Sequence, residues 1–188
     1  MSTLKRDTRE TQIEIDVGVG TGQADVQATS GDAEAPVNER FLVHMVETLA
    51  RYSGLDIRVR AHGDMRHHLI EDVAIALGVA LADEVPIKAT RYGWALVPMD
   101  EALVQAAVDL GGRPYYVGKT PSKLYTHFLH SFSTNLGATL HVRVLRGEDR
   151  HHMVEAAIKA TGLALRQAVV EGDQIFSTKG SVDLERID

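Results

Sequence analysis

The sequence predicts an α/β chain of the α+β sandwich type, built from two similar halves. Three observations lead there. Strand-like alternation and helix-like spacing recur in the same order twice along the chain. The stretch Arg66-His67-His68-Leu69-Ile70-Glu71 returns as Arg150-His151-His152-Met153-Val154-Glu155. At that same offset of 84 residues, Gly63 matches Gly147, Ala76 matches Ala160, Gly78 matches Gly162 and Leu81 matches Leu165. An internal repeat of this kind governs the whole architecture. The halves are expected at residues 1–90 and 91–188, together forming one globular unit. Each would be a small mixed four-stranded sheet with two helices on one face, packed helix layer to helix layer or sheet to sheet.

Each element follows from local pattern. From Thr8 to Val19, Thr11, Ile13, Ile15 and Val17 alternate with polar residues, which predicts a half-buried strand. Gly18, Gly20 and Gly22 mark a turn, and Ala24 to Thr29 is its partner strand. Residues 30–38 are rich in Gly, Asp, Glu and Pro and read as a loop. Phe41, Leu42, Met45, Val46 and Leu49 have helical spacing, and Gly54 stops that helix near Tyr52. Leu55 to Ala61 alternates as a strand, and a helix runs from about Arg66 to Asp83. In the second half, Arg91 to Val97 and Gln105 to Leu110 read as strands, with Tyr115 to Val117 continuing the second. A helix over Pro121 to Leu136, a strand over Thr139 to Leu145 and a helix over His151 to Val169 complete it.

Composition narrows the function classes. The 188 residues carry a formal charge of -6, which argues against a general nucleic-acid binder. No cysteine is present, so disulfides and thiolate metal sites are excluded and any metal must be held by nitrogen and oxygen. That composition fits a cytoplasmic protein. No stretch is long and apolar enough to predict a membrane span, and no signal-peptide core stands at the start.

The repeated histidine pairs carry the chemistry. On a helix, Glu71 lies on the same side as His67 and His68, and Glu155 relates likewise to His151 and His152. Adjacent rings point about 100° apart, so each pair suits two ions better than one. A single such pair is ordinarily a solvated surface feature; its duplication points to ligation. His44 and His141 could complete the set, giving six imidazoles and two carboxylates. Alone, His44 is a helix histidine beside a core, and His141 alternates on a strand where it could face solvent. His62, His127 and His130 lack a duplicated context and read as surface or core residues. Such ligands suit Mn²⁺, Fe²⁺, Co²⁺, Ni²⁺ or Zn²⁺, and open coordination positions would make the site catalytic. A second group, Arg91, Arg113, Ser177 and Lys179, lies in strand-end or glycine-containing segments and suggests an anion site.

Together these segments resemble the imidazoleglycerol-phosphate dehydratase family. The resemblance runs through Arg6-Asp7-Thr8-Arg9-Glu10-Thr11, Phe41-Leu42-Val43-His44-Met45 and the first histidine pair. It continues through Arg91-Tyr92-Gly93, Val97-Pro98-Met99-Asp100-Glu101-Ala102-Leu103, Asp109-Leu110-Gly111-Gly112-Arg113-Pro114 and Thr139-Leu140-His141. The second pair with Lys159, and Ser177-Thr178-Lys179-Gly180, complete it. The resemblance implies a fold like the second domain of ribosomal protein S5, trimers assembled into a cage of 24 subunits, and two Mn²⁺ per active site at subunit interfaces. It also implies dehydration of imidazole glycerol phosphate to imidazole acetol phosphate in histidine biosynthesis, with the substrate's imidazole bound as an imidazolate. The implied metal ligands are His44, His67, His68, Glu71, His141, His151, His152 and Glu155. Glu10, Glu155 and Lys159 take catalytic roles, and Arg91, Arg113, Ser177 and Lys179 bind the phosphate. Asp100 and Glu101 are expected to be structural or to support the ligands.

The chain departs from the family pattern near the first site. Glu39-Arg40 and Val43 stand where glycines and an aspartate usually precede the histidine, and only Met65-Arg66 separates Asp64 from His67. Leu69 replaces a threonine, and Gly111 a serine. These changes are expected to bear on metal affinity or ligand orientation there. A paralogue acting on another phosphorylated small molecule, or a non-catalytic metal-dependent assembly, are the alternatives.

Overall fold

Alternating apolar side chains define the first sheet. The computed structural model describes residues 1–32, 34–175 and 177. Ile13, Ile15 and Val17 of β2 (Thr11–Val19) are buried on the same face as Leu55, Ile57 and Val59 of β5 (Leu55–Gly63). Strand side chains alternate with period 2, so this single face forms the core side. The sheet also holds β1 (Ser2–Asp7), β3 (Ala24–Ser30) and the two-residue β4 (Val37–Asn38), in the order β1-β2-β5-β3-β4. β1 and β5 flank β2 antiparallel, and β3 runs parallel to β5.

The described residues of this half therefore form five strands where four were expected. The strand expected from Thr8 begins at Thr11 instead, because Thr8 Oγ1 accepts the N–H groups of Glu10 and Thr11 and closes a turn. β1 carries little apolar signal: its half-buried positions are Ser2, Leu4 and Arg6. Arg6 is held there by the buried Asp72, at 2.8 Å, rather than by apolar packing.

The second sheet repeats the plan. It comprises β6 (Tyr92–Met99), β7 (Ala102–Asp109), β8 (Tyr115–Lys119) and β9 (Thr139–Arg146), in the order β6-β7-β9-β8. β8 runs parallel to β9, as β3 does to β5. Tyr115 to Val117 thus does not continue β7. The intervening Gly111-Gly112-Arg113-Pro114 turns the chain, with the Gly111 N–H bonded to Asp109 Oδ1 at 3.0 Å, and delivers β8 to the far side of β9.

Among the described residues, four helices lie between the sheets. α1 (Arg40–Ser53) and α2 (Arg66–Ala82) pack on the first sheet, and α3 (Lys123–Asn135) and α4 (Arg150–Ala168) on the second. The layers meet helix to helix, and the pairing crosses between halves: α2 lies on α3 and α4 on α1. Glycine permits both approaches. A Cβ on Gly78 would stand 2.5 Å from the Phe132 carbonyl oxygen of α3, and one on Gly162 would stand 2.9 Å from Tyr52 Cβ of α1. The outer face of the second sheet exposes Tyr92, Trp94, Leu96, Tyr115 and Val117.

Candidate metal centre and active site

The crossed helix pairs bring the histidines together. At the start of α4, the Asp149 side chain accepts the N–H groups of His151 and His152, capping the helix and fixing its first turn. The two rings that follow are nearly perpendicular, at 86°. His151 turns along the helix, with Nε2 2.9 Å from Glu155 Oε2. From α1, His44 reaches the same oxygen at 3.1 Å, and its ring stacks on His151 with centroids 5.7 Å apart. The close contact at Gly162 is what allows a side chain of α1 to meet the first turns of α4. Among the described residues, His44, His151 and Glu155 offer ligand atoms that all lie within 4.8 Å of one another.

Lys159 holds this carboxylate from behind. Its Nζ lies 2.8 Å from Glu155 Oε1, the other oxygen, and 5.5 Å from the centre of the Tyr52 ring. Burial alone would raise the Glu155 carboxyl, but hydrogen bonds from Lys159 and His44, with the lysine charge, hold it down at about 2. Burial likewise pulls Lys159 down, and Glu155 more than compensates, leaving it raised. The lysine is therefore committed to Glu155.

A second cluster stands between α2 and α3. His67 Nε2 lies 3.4 Å from Glu71 Oε2, and His127 Nε2 lies 3.0 Å from Glu71 Oε1. His127 was not expected here. The first half reveals its counterpart: Gly54 ends α1 at φ 76°, Gly137 follows α3 at φ 72°, and these glycines are 83 residues apart. At that offset His44 falls on His127. The histidine pairs keep an offset of 84, so a search at 84 alone pairs His44 with Phe128 and misses the match. His127 Nε2 is also buried without a properly directed hydrogen bond, despite its closeness to Glu71. A buried imidazole nitrogen in that state calls for a further partner.

The remaining histidine of each pair turns elsewhere. His68 Nδ1 lies 2.8 Å from Asp64 Oδ1 and 3.6 Å from Glu10 Oε2, and His152 Nδ1 lies 2.8 Å from Glu101 Oε2. The Asp64 hydrogen bond raises the His68 pKa, and the Glu101 hydrogen bond raises that of His152. Glu101 is pulled down to about 2, first by His152 and then by the backbone N–H groups of Asp149 and Glu148.

The expected anion group is less concentrated. Arg91, at φ 74°, forms a fork on Asp109, with Nε–Oδ1 at 2.5 Å and Nη2–Oδ2 at 3.0 Å. It shares the lining of a surface cavity with Gly111 and Ser177. Arg113 is exposed in the next turn, and Lys179 lies outside the described residues. His141 is exposed on β9, beside Arg143 and Lys119 on the outer sheet face. Within one chain it joins neither cluster, because it faces away from the helix layer that carries both.

Comparison with known proteins bears on this arrangement. The family model described as imidazoleglycerol-phosphate dehydratase matches residues 38–165, which contain every residue of both clusters. The chain belongs to the imidazoleglycerol-phosphate dehydratase family. It is 44% identical to the imidazoleglycerol-phosphate dehydratase of Pyrobaculum calidifontis, over 95% of this chain and 98% of that protein. The Chlorobaculum tepidum enzyme is 40% identical, over 86% of this chain and 94% of its own length. The crystal structure of the Pyrococcus furiosus dehydratase in complex with (S)-C348 superposes with a TM-score of 0.80 at 38% identity, covering 95% of this chain and 100% of that one. A Staphylococcus aureus dehydratase gives 0.76 at 28% identity, covering 91% and 99%.

Within this family, the unusual residues near the first site have local explanations. Leu69 is fully buried, and its Cβ would stand 2.9 Å from a Cβ on Gly63, so it is part of the core. Met153 packs over Gly147 in the same way. Glu39, where an aspartate-containing segment was expected, accepts the Ser30 hydroxyl at 2.6 Å and pairs with Arg66 at 2.9 Å. It thereby ties the start of α1 to the start of α2. In the short loop, Asp64 holds both the Met65 N–H and His68. The nitrogen and oxygen donors of His44, His151 and Glu155 fit a divalent transition ion, with their convergence on Glu155 Oε2 as the observation that supports the fit.

Proposed function

We propose that this chain is a metal-dependent hydro-lyase that dehydrates D-erythro-imidazole glycerol phosphate to imidazole acetol phosphate in L-histidine biosynthesis. The convergence of His44, His151 and Glu155 from opposite halves of the chain carries the reading, because it is a ready ligand set inside a family-spanning match. Two Mn²⁺ per active site is the preferred occupancy, with other divalent transition ions chemically acceptable. Bound divalent ions would supply Lewis acidity and a template for the substrate's imidazole. His44, His151 and Glu155 would hold one, and His67, Glu71 and His127 another, with His68 and His152 offered from each pair's second position.

The chain's own groups supply the rest. The reaction removes a proton from a carbon with no neighbouring carbonyl and a hydroxyl from the next, so a positioned acid–base group is required. Glu10 is assigned that role: it is exposed, and its carboxylate stands 3.6 Å from His68. Lys159 keeps Glu155 ionised and ready to ligate. Arg91, Arg113, Ser177 and Lys179 are assigned to the phosphate, supported by the cavity that Arg91 and Ser177 share. His141 is assigned to a site completed by another subunit.

That assignment requires self-association, proposed as trimers and a cage of 24 subunits in the cytoplasm. The exposed apolar face of the second sheet supports it, since patches of that kind mark interaction surfaces. No helix among the described residues is long and apolar enough to cross a membrane.

Purified protein with Mn²⁺ is expected to form imidazole acetol phosphate from imidazole glycerol phosphate. Full metal occupancy without turnover would refute the reading. His68→Ala should lose metal and activity together. Lys179→Ala should keep metal and chiefly weaken binding of the phosphorylated substrate.

A further inference from the structure

The turn between the first two strands of each half sends a glutamate toward the second histidine of a pair. In the first half this is Glu10, between β1 and β2. In the second it is Glu101, between β6 and β7, preceded by Asp100 at φ 48°. The two carboxylates do different things. Asp64 takes His68 Nδ1, which leaves Glu10 at 3.6 Å with its side chain 57% exposed. Glu101 takes His152 Nδ1 itself at 2.8 Å. Its other oxygen, Oε1, accepts the backbone N–H groups of Glu148 at 3.1 Å and Asp149 at 2.8 Å.

This geometry dictates a tautomer. A carboxylate can only accept, so His152 must carry a proton on Nδ1, and in the neutral ring Nε2 keeps the lone pair. The nearest carboxylate to Nε2, Asp100 Oδ2 at 3.7 Å, is beyond hydrogen-bond reach. Metal-bound imidazoles are oriented in this way by a carboxylate on the opposite nitrogen. We propose that Glu101 is the positioning residue of His152, fixing the Nδ1–H tautomer and aiming Nε2 at a metal ion. The proposal rests on the reading of His152 as a ligand.

The two oxygens of Glu101 make a sharp test possible. In Glu101→Gln the single side-chain oxygen is claimed by the Glu148 and Asp149 N–H groups, so the loop stays in place. The amide NH₂ then faces His152 Nδ1, which must accept, and the ring proton moves to Nε2, where it blocks ligation. Wild type, Glu101→Gln, Glu101→Asp and His152→Ala are compared by Mn²⁺ titration followed by electron paramagnetic resonance. The same proteins, metal-free at alkaline pH where the ring is neutral, are compared by ¹⁵N-histidine solid-state NMR, with His152→Ala identifying the His152 signals. Glu101→Gln should weaken Mn²⁺ binding by about 10- to 100-fold and show His152 protonated on Nε2. Glu101→Asp, which keeps the carboxylate, should recover most of the affinity and the Nδ1–H signature. Wild-type affinity in Glu101→Gln, or lost affinity with an unchanged tautomer, would overturn the proposal. Unchanged metal binding in His152→Ala would instead overturn the ligand reading beneath it.

Discussion

The two histidine clusters are assembled from equivalent helices but hold their carboxylates differently. Glu155 has a side chain only 9% exposed and is gripped by Lys159 one turn along α4. Glu71 has a side chain 33% exposed, and Ile75 stands at the position that corresponds to Lys159. One carboxylate is held by a buried ion pair, whereas the other has only His67 and His127 beside it as ion-pair partners among the described residues. The two halves therefore share the His-His-x-x-Glu residues while their surroundings differ. The cluster with the usual-looking sequence is also the one whose stability depends on keeping every charge in place.

The sharpest way to break the comparison is to remove the carboxylates in turn from metal-free protein. Glu155→Ala strands a largely buried lysine and should cost about 3–5 kcal/mol in urea unfolding. Glu71→Ala breaks only half-exposed pairs and should cost at most about 1 kcal/mol. Equal losses would show that the two carboxylates are not held differently.

Next in size is the packing beneath each pair. Leu69→Ala should destabilise by about 2–5 kcal/mol, and Met153→Ala by less, because Leu69 is fully buried and Met153 only partly. The same unfolding experiment checks both. Gly78→Ala places a Cβ 2.5 Å from a backbone carbonyl oxygen, while Gly162→Ala places one at the longer distance of 2.9 Å from Tyr52 Cβ. The first should cost about 1–3 kcal/mol and the second less, with helix separation visible as weaker metal binding at the adjacent cluster.

The smallest effect is a change in slope. Glu155 titrates at about 2 in the folded chain against an ordinary 4.5. A carboxyl depressed in this way contributes stability that is present above about 4.5 and lost as pH falls toward about 2. Lys159→Met removes the main counterweight to burial, so the acid limb of the stability curve should become shallower across that window. The part owed to Glu101, also near 2, should persist. An unaltered acid limb would show that Lys159 does not control Glu155.

Much of this was legible before the fold was known. The helices and most strands follow from periodicity, and both histidine pairs from the repeat at 84. β1 was hidden because Arg6 occupies an inward position through its pair with Asp72, a contact between distant residues that local alternation cannot display. β8 reads in sequence as a continuation of β7 because the chain reversal at Gly111 to Pro114 is a tertiary event. The contact of His127 with Glu71 is not legible at an offset of 84, because α3 is displaced by one residue from the repeat that aligns the pairs. The choice between helix-to-helix and sheet-to-sheet packing rested on Gly78 and Gly162, which were noticed as matches but not as contact points. Leu69 looked like a defect in sequence and is a core residue in space.

The crossed pairing of α1 with α4 and α2 with α3 also speaks to ancestry. Among the described residues neither half contains a complete cluster, since each histidine pair meets its third residue from the other half. A half-length ancestor could have assembled such a cluster only by pressing its helix layer against that of a twin, producing two identical clusters related by a twofold axis. The present chain then reads as a fused pair whose two copies differ, with a lysine beneath one glutamate and an isoleucine at the matching position of the other.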